Sequence, residues 1–288
     1  RTDYLIDISL TSFCILFIYI LTKWFNDKKE YSIYSFLAGL SLALIFLVFG
    51  CIIKLHGQTI QTDRPSAQTE NATTLYKNAF QVEYGTIFSF TDNNLNEITL
   101  PNALYRYGLF DGLELRFSND LLFNKNFGEF RINPMQFGIK GQLFKKEKSQ
   151  LAILSMLTFN SLRAEEKFYD FQNLSVKLIG SNFISNRLNL GYTFGHNFNP
   201  NINGSDINYS LFFNFSINEN LNAFFETYGS LYYYESNDYT KTITDEIKYD
   251  FGAAYLVNNK LQIDFYMGSD TELKNYFGSV GISYLFIK

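Results

Sequence analysis

From about residue 77 to the end of the chain, apolar and polar residues alternate with a period of two. In the run 207–217, every odd-numbered residue is apolar or aromatic, and every even-numbered residue is Asn or Ser apart from Phe212. Successive side chains of a β-strand point to opposite faces of the sheet. The alternation therefore predicts strands that each have one apolar face and one polar face.

The same pattern recurs along the chain and predicts about twelve strands. We expect them at residues 80–89, 97–107, 113–118, 135–143, 151–159, 173–178, 188–194, 207–217, 221–234, 247–255, 261–267 and 275–286. Short turns are predicted at 108–112, 145–150, 181–186, 218–220 and 258–260. Longer polar loops are predicted at 91–96, 124–131, 161–170, 197–205, 235–244 and 269–272. Such alternation of turns and loops is typical of transmembrane barrels, in which the short turns lie at the periplasmic rim.

Alternation alone does not decide whether the apolar face points into a soluble barrel or out into lipid. The chain has 31 Phe and 21 Tyr among 288 residues, too much aromatic bulk for one lumen, yet its mean hydropathy is only -0.08. Tyrosines also cluster near the ends of strands, as interfacial girdles require. We therefore predict an all-β fold: a closed antiparallel transmembrane β-barrel of about 12 strands in the bacterial outer membrane. A soluble barrel is the alternative.

The first 57 residues lack this alternation and contain two apolar runs, at 5–24 and 36–53. We interpret residues 1–57 as a helical apolar leader whose second run is the core of a signal peptide. The first run, up to about residue 27, is interpreted as an over-extension of the reading frame. Two real transmembrane helices and a lipid anchor at Cys51 are the alternatives.

The remainder of the chain divides into a short segment and the barrel. Residues 58–76 fit no strand and are interpreted as a periplasmic segment or a lumen plug, whereas residues 77–288 are interpreted as the barrel. Both cysteines, Cys14 and Cys51, lie in the leader, so the barrel has no disulfide and no thiolate ligand for a metal. We expect no cofactor and no metal site. The net charge of -4 and the absence of a basic patch argue against nucleic acid as a partner.

Charged residues on the polar face of the strands are the candidates for a lumen pathway. Together with one residue of the leading segment they are Arg64, Glu83, Arg106, Glu114, Arg116, Asp120, Lys140, Lys177, Glu226, Lys248, Asp250 and Asp264. They either line a narrow polar pathway for small solutes or pair with one another and fill the lumen, because buried charges need partners. Residues 62–66 are expected to tuck into the lumen, with Asp63 and Arg64 joining this network.

Catalysis is not expected. Some outer-membrane phospholipases use a His-x-Ser pair, and His196 has the matching position near a strand end. The second residue after it is Phe198, however, so this nucleophile is missing. A lipid-acting hydrolase is a minor alternative.

Several short stretches resemble a known family. They are Gln61-Thr62-Asp63-Arg64-Pro65-Ser66, the run from Leu104 through Arg106-Tyr107-Gly108-Leu109 to Leu113-Glu114-Leu115-Arg116, and Gly138-Ile139-Lys140. Together they are similar to the outer-membrane transporter family labelled "MetA-pathway of phenol degradation", over roughly residues 60–288. This resemblance implies a porin-like channel or transporter for small compounds, including hydrophobic or aromatic ones.

The resemblance also implies partners. They are outer-membrane lipid, a small-molecule solute and the barrel-assembly machinery, which in many barrels reads a terminal aromatic residue. Here Phe286 is followed by Ile287 and Lys288, a departure from that pattern. A structural or adhesive barrel with a filled lumen is the alternative function.

Overall fold

The computed structural model describes residues 60, 62–64, 68–92, 94–159, 171–198, 204–235, 240–244 and 247–286. The predicted leader at 1–57, with its alternatives of two helices and a lipid anchor, lies outside these residues. In the described part of the chain, no helix has the length and apolar character that a membrane span needs.

The described residues form one antiparallel sheet. Its strands are β1 (Phe80–Thr91), β2 (Asn94–Phe110), β3 (Leu113–Asn124), β4 (Glu129–Ile132), β5 (Met135–Lys145), β6 (Ser149–Phe159), β7 (Phe171–Phe183), β8 (Leu188–Phe198), β9 (Gly204–Ser216), β10 (Leu221–Glu235), β11 (Thr240–Thr244), β12 (Lys248–Asn258), β13 (Leu261–Asp270) and β14 (Asn275–Phe286). β4 and β5 pair with β3 in succession, and β11 and β12 pair with β10 in succession. Each of these pairs is one interrupted barrel strand, so the barrel has twelve strands, as predicted.

The sheet closes on itself between the first strand and the last. β1 pairs with β14 without a register shift, from Phe80 opposite Phe286 to Thr91 opposite Asn275. Closure leaves no edge with unpaired N–H and C=O groups, which the hydrocarbon of a bilayer would not tolerate. The prediction of a closed antiparallel barrel is confirmed.

The outward face of the barrel is apolar. Phe225, Phe251 and Ile282 lie on it and are 44, 46 and 45% exposed. Aromatic rings also form a row across neighbouring strands, with ring centroids 5.7 Å apart for Tyr105 and Phe117 and 4.8 Å apart for Phe117 and Phe137. The apolar residues therefore face outward and the charged ones inward, as in a barrel of the outer membrane. The soluble alternative is wrong.

Four of the predicted long loops are wrong, and the one predicted at 235–244 contains strand β11 (Thr240–Thr244). The loop predicted at 91–96 is a tight turn between β1 and β2, and those predicted at 124–131 and 269–272 are also short turns between strands that extend further. Asp92 adopts a φ of 48°, a conformation that short polar residues tolerate in such turns. At these residues the strict alternation stops but the backbone ladder continues, so the pattern underestimates strand length at this rim.

The segment before β1 runs inside the barrel. The Ile60 N–H donates to the Asn259 carbonyl (3.0 Å) in the β12–β13 turn, and the Asn78 N–H donates to the Gly108 carbonyl (2.8 Å). Both ends of the segment thus lie at the rim that carries the short turns. Its apolar residues pack against the barrel wall in two small clusters. One contains Ile60, Leu75 and Ala79 with Leu256 and Leu285, and the other contains Ala72 with Leu154, Met156 and Ile179. We call residues 60–79 the lumen segment.

Candidate functional site

The period of two places the candidate charges inside the barrel. Those with 8% exposure or less are Arg64, Glu83, Arg106, Glu114, Arg116, Lys140, Glu226, Asp250 and Asp264. Asp120, Lys177 and Lys248 are half-buried. Their role in a solute pathway stays a prediction, but the structure shows which of them meet.

One cluster is centred on Asp63 of the lumen segment. Its carboxylate pairs with Arg116 of β3, with Lys140 of β5 (3.4 Å) and with Arg106 of β2 (3.6 Å), and it accepts the Asn71 N–H (2.7 Å). Burial by itself would raise the pKa of the Asp63 carboxyl, but these three cations hold that pKa well below its ordinary value. Asp63 therefore stays ionised and joins three strands to the segment.

The strand register explains why a carboxylate is needed here. Arg106 and Arg116 lie directly opposite each other on β2 and β3, and like charges in that position repel. Glu114 accepts two parallel hydrogen bonds from Arg106, from Nε to Oε1 at 2.8 Å and from Nη2 to Oε2 at 2.9 Å. Glu83 takes a third bond from Arg106 Nη1 at 2.9 Å. Asp63 then supplies the negative charge between the two guanidinium groups.

A second cluster surrounds Arg64. Its guanidinium donates to Asp264 (3.3 Å), Asn102 (2.8 Å) and Ser279 (2.7 Å), which lie on β13, β2 and β14. The group lies against Gly85 and Gly281, and a Cβ at either glycine would overlap it. Two glycines thus open the space that the Arg64 guanidinium occupies against the neighbouring strands β13, β14, β1 and β2.

Barrel carboxylates also hold the main chain of the lumen segment. Glu83 accepts the N–H groups of Asp63 and Arg64 (2.9–3.2 Å). Glu226 accepts those of Gln68 and Thr69, and Glu114 accepts that of Leu75 (2.9 Å). Backbone donors in a segment without regular structure need such partners when they are buried. This role could not be predicted from the sequence, because backbone donors leave no pattern in it.

Glu70 is a further member of the network that sequence analysis missed. It pairs with Arg116 (2.8 Å) and with Lys177 of β7 (3.3 Å). Burial alone would raise the pKa of Glu70, but Arg116 and Lys177 lower it below its ordinary value. The residues before β1 contain no strand pattern, so only their acidic character could have drawn attention to Glu70.

The other candidates lie at the edges of these clusters or outside them, and Asp120 shares its partner Asn102 with Arg64. Asp120 accepts the side-chain amide of Asn102 (3.1 Å) and the Ala103 N–H (3.2 Å). Glu226 and Asp250 are opposite each other on β10 and β12, and both are fully buried. Lys248 makes no ion pair with any residue that the structure describes.

A cavity remains beside the lumen segment. It has a volume of about 220 Å³, and its wall includes Gln68, Lys177, Thr193, Ser210, Tyr228 and Lys248. Asn208 and Ser230, also in the wall, lie nearer the long-loop ends of β9 and β10 than Ser210 and Tyr228 do. The cavity therefore opens on the side of the segment that faces away from the short turns.

The described residues contain no group of three His, Cys, Asp or Glu side chains placed to hold a metal ion. His196 lies between Val176 and Ile207 in the register of β7–β9, and its ring contacts Phe198 with centroids 4.1 Å apart. Its Nδ1 atom is buried and has no hydrogen-bond partner among the described residues. These described neighbours are apolar, so they supply neither a nucleophile nor an orienting carboxylate.

Comparisons with known proteins bear on the fold and the family. The porin NanC matches 70% of this chain and 98% of its own at 9% identity, with a TM-score of 0.53. The KdgM porin (11% identity, 72 and 99% coverage, TM-score 0.49) and the CymD monoaromatic hydrocarbon channel (10%, 73 and 88%, 0.43) are less similar. No curated protein matches the chain. The model of the family described as "Putative MetA-pathway of phenol degradation" matches residues 62–286.

Proposed function

The chain belongs to this phenol-degradation family of outer-membrane barrels, and on that basis we propose that it is a channel for small compounds whose lumen is closed by the lumen segment. In an eight-stranded barrel, side chains alone fill the interior. This barrel has twelve strands and is wider, so its interior has additional space. The described residues of the lumen segment, 60, 62–64 and 68–79, occupy the additional space.

The observation that carries this proposal is the kind of contact that holds the segment. Asp63, Arg64 and Glu70 are fixed by ion pairs and hydrogen bonds to strands on several sides of the lumen. Once the segment is released, water can take the place of these contacts, and the barrel wall keeps its own backbone ladder. A segment bound in this way can leave the lumen without unfolding the barrel.

The lumen also has apolar surface that suits small aromatic or hydrophobic compounds. Phe212, the exception in the alternating pattern, stacks on Phe224 inside the barrel with ring centroids 5.2 Å apart. Phe277 contacts Tyr228 and Tyr266 at 6.5 and 6.2 Å between centroids. These rings accompany the charged clusters, so a solute would meet both surfaces.

A barrel with a permanently filled lumen, in a structural or adhesive role, is the second candidate. The number of buried charge contacts around Asp63 favours it, because removing one partner from such a network is strongly unfavourable. Both candidates share the same closed state and differ in whether the segment leaves.

Deletion of residues 60–76 tests the two candidates. The deletion variant, folded and reconstituted into liposomes, should let small sugars and small aromatic alcohols enter, so that the liposomes swell faster than those with the full-length barrel. The control is the full-length barrel at the same protein-to-lipid ratio. A folded deletion variant that leaves the liposomes sealed would remove the channel proposal and favour the filled structural barrel.

We propose no catalytic role for the chain, because the described neighbours of His196 are apolar. Outer-membrane lipid is the proposed partner of the apolar outer face. The barrel-assembly machinery is the proposed partner during insertion, as for other barrels of this type.

A further inference from the structure

The cavity beside the lumen segment has a wall with two lysines on opposite sides. Lys177 comes from β7 and Lys248 from β12, four strands away along the sheet through β8, β9 and β10. The cavity volume of about 220 Å³ is smaller than the roughly 300–1,000 Å³ of pockets for drug-sized ligands. The space suits a small organic molecule.

The charged groups around this cavity differ in how far they are already paired with other protein groups. Lys248 has no ion pair among the described residues, and Lys177 uses one of its three donors on Glu70. Four carboxyls lie nearby. Glu70 pairs with Lys177, and Asp270 is opposite Lys248 in the β12–β13 register and accepts the N–H groups of Lys274 and Asn275. Glu226 and Asp250 are fully buried on β10 and β12, and none of the four contributes an atom to the wall. Both oxygens of Glu226 accept N–H groups of Gln68 and Thr69. The wall therefore carries two ammonium groups and no carboxyl, and only Lys177 shares its charge with an acidic partner, Glu70.

The neutral part of the wall adds donors and one aromatic ring. Thr193 and Ser210 accept hydrogen bonds from the lumen segment through their hydroxyl oxygens, so each keeps a proton to donate. Tyr228 lies in the wall with its ring against Phe277. Lysine ammonium groups, hydroxyl donors and a ring together match a flat organic anion.

We propose that this cavity binds small organic carboxylates, aromatic ones included, on the outer side of the lumen segment. The site rests on the proposed channel function and deepens it, since its occupant is a solute on its way through the barrel. The nearby buried carboxyls weaken the binding of an anion, which a channel needs if its solute is to leave again. Because Lys177 holds Glu70, a carboxylate at the site also competes for one contact of the lumen segment.

The test measures binding alone, without transport, so that its failure can be told from failure of the channel. The full-length barrel in detergent micelles is titrated with 4-fluorobenzoate, and fluorine NMR line broadening gives the dissociation constant. Two uncharged or positive analogues, 4-fluorobenzyl alcohol and 4-fluorobenzylammonium, are titrated in the same way. Folding of each variant is checked by its heat-modifiable migration on a gel.

We expect fluorobenzoate to bind at least about tenfold more tightly than either analogue. Lys248→Met should weaken fluorobenzoate binding by about tenfold, because one charge-assisted contact is lost. Lys274→Met is the matched control, since Lys274 is exposed, pairs with Glu272 and lies outside the cavity wall. It should leave the dissociation constant unchanged.

Three results would overturn the proposal. They are absence of fluorobenzoate binding, equal or tighter binding of the ammonium analogue, and unchanged binding in a folded Lys248→Met variant. Should that variant fail to fold, the comparison of the three probes on the unmodified barrel decides alone. Liposome swelling by the deletion variant is independent of all these outcomes.

Discussion

Asp63→Asn is the change that should most directly release the lumen segment. The substitution keeps the shape of the side chain but removes the negative charge between Arg106, Arg116 and Lys140. Asp63 is 9% exposed, so solvent does little to screen the loss. The three cations remain buried with fewer partners.

The magnitude follows from the burial of the network. Removal of one partner from a buried ion pair is worth about 3–5 kcal/mol, and we take about 3 kcal/mol because Asn keeps one acceptor oxygen. At about 1.4 kcal/mol for each factor of ten, the ratio of released to bound segment should rise roughly 100-fold. In the proposed channel, that ratio sets the time spent open.

Single-channel recording in planar bilayers measures this ratio directly. Asp63→Asn should open at least tens of times more often than the unmodified barrel under the same voltage and salt. Asp92→Asn is the control, because Asp92 is exposed in the β1–β2 turn and its positive φ suits Asn equally well. Equal open probability in folded Asp63→Asn and unmodified barrels would refute the reasoning that this carboxylate holds the segment.

Three further predictions test other parts of the structure. Gly281→Ala should displace the Arg64 guanidinium and increase conductance in bilayer recordings. Gly141→Ala is the control, because its Cβ would make an ordinary 3.7 Å contact with Ile153, and it should leave conductance unchanged. The pKa values of Asp63 and Glu70 are lowered from 3.8 and 4.5. Their contribution to holding the lumen segment is therefore complete above those ordinary values and is lost as the pH falls below them. Conductance should be constant from neutral pH to about pH 5 and rise only in stronger acid. An increase between pH 7 and pH 5 would contradict that assignment. Phe251→Arg, on the outward face, should lower the free energy of unfolding in lipid by about 2–4 kcal/mol, and Phe130→Arg, near the long-loop rim, by about 0–1 kcal/mol, as measured by denaturant titration. Equal losses would contradict the placement of Phe251 in hydrocarbon and of Phe130 at the rim.

The barrel wall could be predicted from the sequence because one physical rule governs it. Every strand in lipid must present apolar side chains at alternate positions. Residues such as Phe213, Phe215 and Phe225 therefore show in the sequence which face of each strand points outward. The rule ends at the membrane surface, and for that reason the extension of β1, β2 and β3 beyond the bilayer was not visible in the pattern.

The contents of the lumen could be predicted only in part. Inward parity identified Glu83, Arg106 and Glu114 as buried charges, since a polar residue on an alternating strand has one place to go. Parity does not say which charges meet, and it is silent on a segment without strands. The partners of Asp63, Arg64 and Glu70 depend on how that segment folds back, which only the three-dimensional register of the barrel determines.

The short connection between the lumen segment and β1 has a consequence for closure. The N–H of Asn78 is bonded to Gly108 only two residues before β1 begins, so the segment stays tethered at the mouth of the barrel even when the contacts further along are broken. Return of the segment is then an intramolecular event with a high effective concentration, independent of how much protein is in the membrane. In the proposed channel, a pore built in this way would reseal itself, and each opening would end without a second molecule.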